Sequence, residues 1–221
     1  MPSRLWIVSN AVEHPNAASW SFAEDHVAPS PEVAEARDEA IVADLTPITT
    51  GVAATLKVLA RAIDAKHVVE VGTLMGASAL SFLEGMGEGG IVTSIDSEAD
   101  NQLPARRFIT RAGYPSSRFR LIAGAPLDVL PKLRDGAYDI VFINADKLEY
   151  VEYVAGSLRL LRHGGLLVVN DALWHNRVAK TSDESDEAII IREALEAVTA
   201  TESYTQALLP VGNGLLVAVK D

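Results

Sequence analysis

A chain of 221 residues with 48% hydrophobic and 22% charged content can bury a sizeable core and is compatible with one domain of the larger α/β kind. Its net charge of -11 opposes a role built on phosphate neutralisation, which needs clustered Lys and Arg, so no nucleic-acid partner is expected. There is no cysteine, which excludes disulfides, thiolate nucleophiles and thiolate metal sites; any metal must sit on oxygen or imidazole.

Met1 to Val12 carries one Arg and the short apolar run Leu5 to Val8, too brief for a signal-peptide core. No apolar run approaches the roughly 20 residues of a membrane-spanning helix, so a cytoplasmic protein with no membrane contact is expected. Residues 1–30, with Pro2, Pro15 and Pro29 and no sustained period, read as a loosely ordered arm, and residues 31–221 as a single domain. Pro31 suits a first helical turn after Ser30, and the run PEVAEARDEAIVADL reads as a helix with acidic residues early. Thr50 to Ile63 is a second helix, with Val52, Leu56, Leu59 and Ile63 on one face.

Short apolar runs then alternate with helical stretches, the pattern of parallel strands joined by crossover helices. Strands are predicted at His67 to Val71, Gly90 to Ile95, Phe119 to Ala123, Tyr138 to Ile143 and Leu166 to Val169. Helices are predicted at Ala77 to Gly85, Ala99 to Ala112, Leu127 to Leu133, Glu149 to Leu161 and Glu187 to Ala200. Ser182 to Glu187 reads as a solvated loop in which Ser185 or Asp186 caps the last of these helices. Tyr204 to Leu209 and Leu215 to Val219 are strand-like, and Gly212-Asn213-Gly214 supplies the positive-φ residues of a tight hairpin, so the last strand should run antiparallel. The sum is a doubly wound α/β fold with a seven-stranded, mostly parallel sheet.

VVEVGTLMGAS places Glu70-Val71-Gly72 at the end of a strand, a loop to Gly76, and a helix carrying Ser78. Glycines let the backbone turn and approach a ligand closely, and the helix amino terminus offers free N–H groups. Asp96 ends the next strand, where a carboxylate can accept from both hydroxyls of a ribose. The dinucleotide fingerprint wants Gly at the first, third and sixth positions, but from Gly72 this chain has Leu74 and Ala77 there. With Glu70 as a second carboxylate, the cradle suits a cationic ligand such as a sulfonium amino acid better than a pyrophosphate.

These residues, with GAPLDVLPKL at Gly124 to Leu133, YDIVFINADKLEYVEY at Tyr138 to Tyr153 and LLRHGGLLVVNDALW at Leu160 to Trp174, make the chain resemble the cation-dependent small-molecule O-methyltransferases, the group that includes catechol and caffeoyl-CoA O-methyltransferases. The resemblance runs from about Pro31 to the C-terminus. It implies a Rossmann-like S-adenosylmethionine-dependent fold, often homodimeric, with Ile48, Glu70, Gly72, Thr73, Ser78, Asp96 and Asp146 as cofactor contacts. Pro126 stands where the family usually has a backbone N–H for adenine; proline has none, which leaves Leu127, water or shape.

The family's metal corner reads Asp-Ala-Asp-Lys and Asp-Asn, and three of those oxygens bind Mg²⁺. Here the same positions are Asn144-Ala145-Asp146-Lys147 and Asn170-Asp171, so ligand carboxylates fall from two to one. Amide oxygens bring no formal charge and Mg²⁺ dehydrates reluctantly, so weak divalent-cation binding or none is expected at Asn144, Asn170 and Asp171. By resemblance Lys147 is the general base, its pKa lowered by burial or neighbouring positive charge. Trp174 is a candidate aromatic wall for a planar acceptor and His175 an alternative base; His67 and His163 receive no role.

The resulting expectation is methyl transfer from S-adenosylmethionine to a hydroxyl of a small aromatic molecule. Its rivals are a metal-independent methyltransferase with another acceptor, a cofactor-binding protein that has lost catalysis, and a nicotinamide oxidoreductase.

Overall fold

The computed structural model describes residues 15–221, so the reading of Met1 to Val12 lies outside the described residues. Three helices precede the sheet: α1 (Ala17–Asp25), α2 (Pro31–Val42) and α3 (Thr50–Ala62). Each starts at a capping side chain. Asn16 accepts from the Ser19 N–H, Ser30 from Val33 and Thr49 from Val52, which satisfies one free donor of each first turn. The expected arm therefore differs over residues 17–25, which are helical. In α3, Val52 and Leu56 are fully buried as the periodicity requires, while Leu59 and Ile63 pack partly buried at its margin.

The alternating region follows as β1 (His67–Val71), α4 (Ala77–Gly85), β2 (Ile91–Asp96), α5 (Ala99–Arg111), β3 (Phe119–Ala123), α6 (Pro126–Val129), β4 (Tyr138–Ile143), α7 (Tyr150–Leu160), β5 (Leu161–Val169), α8 (Asp186–Ala200), β6 (Tyr204–Leu209) and β7 (Leu215–Lys220). The sheet order is β3-β2-β1-β4-β5-β7-β6. β1 to β5 pair in parallel, and β7 runs antiparallel to both β5 and β6, as the hairpin required. Gly212 and Gly214 of that hairpin sit at φ +55 and +91.

Strand residues divide by parity between two layers. Val68, Val92, Ile140, Phe142 and Val168 face the core shared with α2 to α5, and Val69, Val141, Ile143, Leu167 and Val169 face the core shared with α7 and α8. β1 lies beside β4, where chain order reverses, and the loops leaving the carboxyl ends of these central strands converge there.

Two local expectations differ. β5 begins at Leu161 rather than Leu166, and its register against β4 shifts between Tyr138 and Ile140, so the Gly164-Gly165 kink lies inside the strand. Ser185 is the residue before α8 but makes no side-chain cap; its hydroxyl donates to Asp183 instead, a closer acceptor at 2.6 Å. Among the described residues no helix is long and apolar enough to cross a membrane.

Candidate functional site

The cradle is built at the carboxyl end of β1. Gly72 adopts φ +97, and a Cβ there would lie 2.1 Å from the Asn144 carbonyl oxygen, so only glycine lets the β1 loop pass the end of β4. Gly76, at φ +86, opens α4. Asp96 ends β2 and stitches the loop to itself: its Oδ2 accepts from the backbone N–H of Thr73 (2.9 Å) and Leu74 (3.0 Å), and its Oδ1 from Glu98 (2.8 Å). The Asn101 amide donates more weakly, 3.3 Å from both oxygens. Leu74 is held at φ +45, a conformation costly for a side chain with a Cβ, which places this strain in the loop that faces the cavity.

A cavity of about 450 Å³ lies over this loop, bounded by Gly72, Leu74, Asp96, Asn101, Asp146 and Lys147. Lys147 is the sole cation among lining residues that also include the carboxylates of Asp96, Glu98, Asp146, Asp171 and Glu187. A smaller recess of about 140 Å³ shares Gly72, Asp96, Ser97, Ala145 and Asp146 with it and runs on to Ala125 and Pro126. A third cavity, about 420 Å³, is walled by Trp20, Glu24, Pro47, Asn170, His175 and Asn213. Thr46 and Asp171 line both this cavity and the one over the β1 loop, so the two chambers meet at that wall.

At this wall the ends of β4 and β5 bring four polar side chains together. Asn170 Nδ2 donates to Asn144 Oδ1 at 2.9 Å, and Lys147 Nζ pairs with Asp171 Oδ2 at 2.9 Å. Lys147 also donates to the Ala145 carbonyl at 3.1 Å and lies 5.0 Å from the Tyr150 ring centre and 5.3 Å from that of Trp174. Burial works against the charge on Lys147, but the Tyr150 oxygen and the Asp171 carboxylate more than offset it, and its pKa lies above the ordinary lysine value. The pKa lowering expected for a general base is thus reversed, because the neighbour is a carboxylate and not a cation. Asn144 Nδ2, Asn170 Oδ1 and Trp174 Nε1 are buried here without a partner in the protein. Buried polar groups are nearly always paired, so three such atoms at one corner mark a place built for a bound group. The backbone agrees: Asp171, Trp174, His175 and Asn176 all have positive φ, between +41 and +64.

These residues do not fit a divalent cation. The corner offers one carboxylate, already neutralised by an ammonium, and two amides that use one donor and one acceptor on each other. Among the described residues no group of three His, Asp or Glu side chains is arranged to hold a metal ion.

Of the residues expected to contact a cofactor, Gly72, Asp96 and Asp146 line the main chamber. The side chains of Ile48, Glu70, Thr73 and Ser78 are buried. Glu70 accepts from Ser94 at 2.5 Å and Thr73 Oγ1 bonds the Ser94 hydroxyl at 2.7 Å, so these side chains brace the loop from beneath. Ile48 packs in the core, while its neighbours Thr46, Pro47 and Thr49 reach the chambers. Trp174 faces the chamber of Lys147, and His175 faces the other, its Nδ1 3.3 Å from the Asn213 amide. Sequence reasoning missed Asn101, five residues past Asp96 in the first turn of α5, and Trp20 and Glu24, for which no local signal existed.

A family model described as O-methyltransferase matches residues 24–221. A relative from Mycobacterium sp. (strain KMS) that carries an O-methyltransferase name is 41% identical over 201 residues, covering 91% of each chain. Another from Mycobacterium tuberculosis, named a probable O-methyltransferase, is 40% identical over 202 residues, covering 91% of this chain and 90% of that one. Among solved structures, a cofactor-bound Mycobacterium tuberculosis protein superposes with TM-score 0.82 at 28% identity, covering 94% and 99% of the two chains. A Bacillus cereus O-methyltransferase solved with S-adenosylhomocysteine shares the fold, with TM-score 0.82 at 24% identity over 92% and 97%.

Proposed function

The chain belongs to the O-methyltransferase family, and we propose that it transfers the methyl group of S-adenosylmethionine to a hydroxyl of a small aromatic acceptor. The observation that carries this reading is the acidic cradle of Gly72 and Asp96 opening, at Asp171, into a second chamber walled by Trp20 and His175. When bound, S-adenosylmethionine would supply an electrophilic methyl carbon: a carbon–oxygen bond forms at the acceptor, the carbon–sulfur bond breaks with its electron pair left on sulfur, and the proton of the acceptor hydroxyl is released to water.

The residues of this chain divide the remaining work. Asp96 would hold the ribose; with three backbone N–H groups already on the carboxylate, the long Asn101 contact is the one a ribose hydroxyl replaces. Ala125 and Pro126, beside Ser97, would form a slot suited to the adenine by shape. Carboxylates at Asp146 and Glu187 favour the positive end of the cofactor. Trp20 and His175 would orient a planar acceptor and keep water from it, which fixes the approach of the attacking oxygen. A cytoplasmic location and a homodimer belong to the same proposal, with exposed Ile41 and Val42 of α2 as an apolar patch for a second copy.

Calorimetric titration with S-adenosylhomocysteine, NAD and NADP tests the proposal. Binding of S-adenosylhomocysteine at about micromolar Kd with no heat from the dinucleotides is expected. Stabilisation by the dinucleotides alone would overturn it.

A further inference from the structure

We infer that the Lys147 ammonium, held on Asp171, and not a divalent ion, binds the acceptor oxygen. The inference rests on the methyl-transfer reading and adds how the acceptor is held. An ammonium has three N–H donors. The Asp171 carboxylate and the Ala145 carbonyl take two, at 2.9 and 3.1 Å, and the third faces the Tyr150 hydroxyl, a neutral acceptor that a ligand oxygen anion replaces. The rings of Tyr150 and Trp174 at 5.0 and 5.3 Å confine the group, so its charge is in place before any acceptor arrives.

Four side chains make up the corner at the ends of β4 and β5. Lys147 and Asp171 cancel in charge, and the Asn144–Asn170 pair carries none. Whichever way the two amides are turned, their mutual bond leaves one carbonyl oxygen and one NH₂ over, matching the unpartnered Asn170 Oδ1 and Asn144 Nδ2. A dication bonded to Asp171 would lie beside the ammonium that holds the same carboxylate, and like charges a few ångströms apart repel strongly in a buried site. Replacing a chelating ion by one N–H changes the acceptor class as well. A metal grips two vicinal oxygens, whereas this corner grips one oxygen anion, so a phenol with a single ionisable hydroxyl suffices.

Mn²⁺ binding, followed by its electron paramagnetic resonance signal, reads the inference without an acceptor. The native protein is expected to show no saturable binding up to about millimolar Mn²⁺. Lys147→Met, which leaves Asp171 unpaired, is expected to bind Mn²⁺ at least about tenfold more tightly, while Lys147→Arg, which keeps the charge, is not. S-adenosylhomocysteine binding by each variant shows that it is folded. With labelled cofactor, single-hydroxyl phenols are expected to be methylated undiminished in chelator, and Lys147→Met to lose about 100-fold in kcat. Saturable Mn²⁺ binding by the native protein that Asp171→Asn abolishes would overturn the inference. So would a folded Lys147→Met that gains no Mn²⁺ affinity, or methylation confined to vicinal diols with added metal. Absence of S-adenosylhomocysteine binding to the native protein would instead remove the methyl-transfer reading and leave the Mn²⁺ result standing.

Discussion

Glu70 is fully buried in β1, with Oε2 accepting from the Ser94 hydroxyl and Oε1 without a partner. Burial pushes its pKa from the ordinary 4.5 up to about 7, with the nearby hydroxyls of Ser78 and Ser94 drawing it partly back and the Asp96 charge adding to the rise. The folded state therefore binds a proton here that the unfolded chain has lost. The stability Glu70 contributes is fully present below about pH 4.5 and is lost as pH rises through about 7. Relative to Glu70→Gln, whose amide stays neutral, the native protein is expected to lose on the order of 3 kcal/mol between those limits, read from urea midpoints across pH. Parallel pH profiles for the two proteins would contradict the burial argument. At this scale the sequence located the residues of the cradle, because glycine and carboxylate spacing is local. It did not tell which side chains face the cavity: Glu70, Thr73 and Ser78 turn inward, a matter of strand parity and helix phase.

Helix α1 shows how an element can be present without a readable pattern. It has no buried residue, and Trp20 and Phe22 on it stay substantially exposed. Its attachment depends on Glu24, whose Oε1 accepts from the Gly51 N–H at 2.6 Å and Oε2 from the Gly212 N–H at 3.0 Å. One carboxylate thus ties α1 to the start of α3 and to the β6–β7 hairpin, a contact spanning 188 residues of sequence. Glu24→Ala is expected to raise amide exchange in residues 17–25 and at the hairpin while shifting global stability by only about 1 kcal/mol, and to raise the acceptor KM several-fold as Trp20 leaves its chamber. Unchanged exchange in residues 17–25 would show that α1 is held by something else. The periodic elements β1 to β5 were legible because alternation between two cores leaves its mark on every residue. An amphipathic pattern is absent from α1 because it is held at a single polar point.

Across the whole molecule, Asp139 ties three strands at the end of the sheet opposite the chambers. Its Oδ2 accepts from the N–H groups of Lys66 and His67 at 2.8 and 2.7 Å, and its Oδ1 from Arg162 Nε at 2.6 Å, joining β4 to the starts of β1 and β5. Burial alone would raise its pKa, but Arg162 and these N–H groups hold it below the ordinary 3.8. The stability it confers is present above that value and is lost as pH falls through the folded-state pKa. Asp139→Asn is expected to cost about 2–3 kcal/mol at neutral pH by chemical denaturation, with the deficit shrinking in acid. A deficit that stayed constant through acid pH would contradict this account. What the sequence by itself determined is the doubly wound sheet with its antiparallel last strand and the glycine loop that leaves β1, since periodicity, caps and glycine turns act over a few residues. Only the tertiary structure decided the polar corner at the ends of β4 and β5. The register of β4 against β5 sets Lys147 on Asp171 and Asn144 on Asn170, a pairing between strands that residue identity alone does not fix.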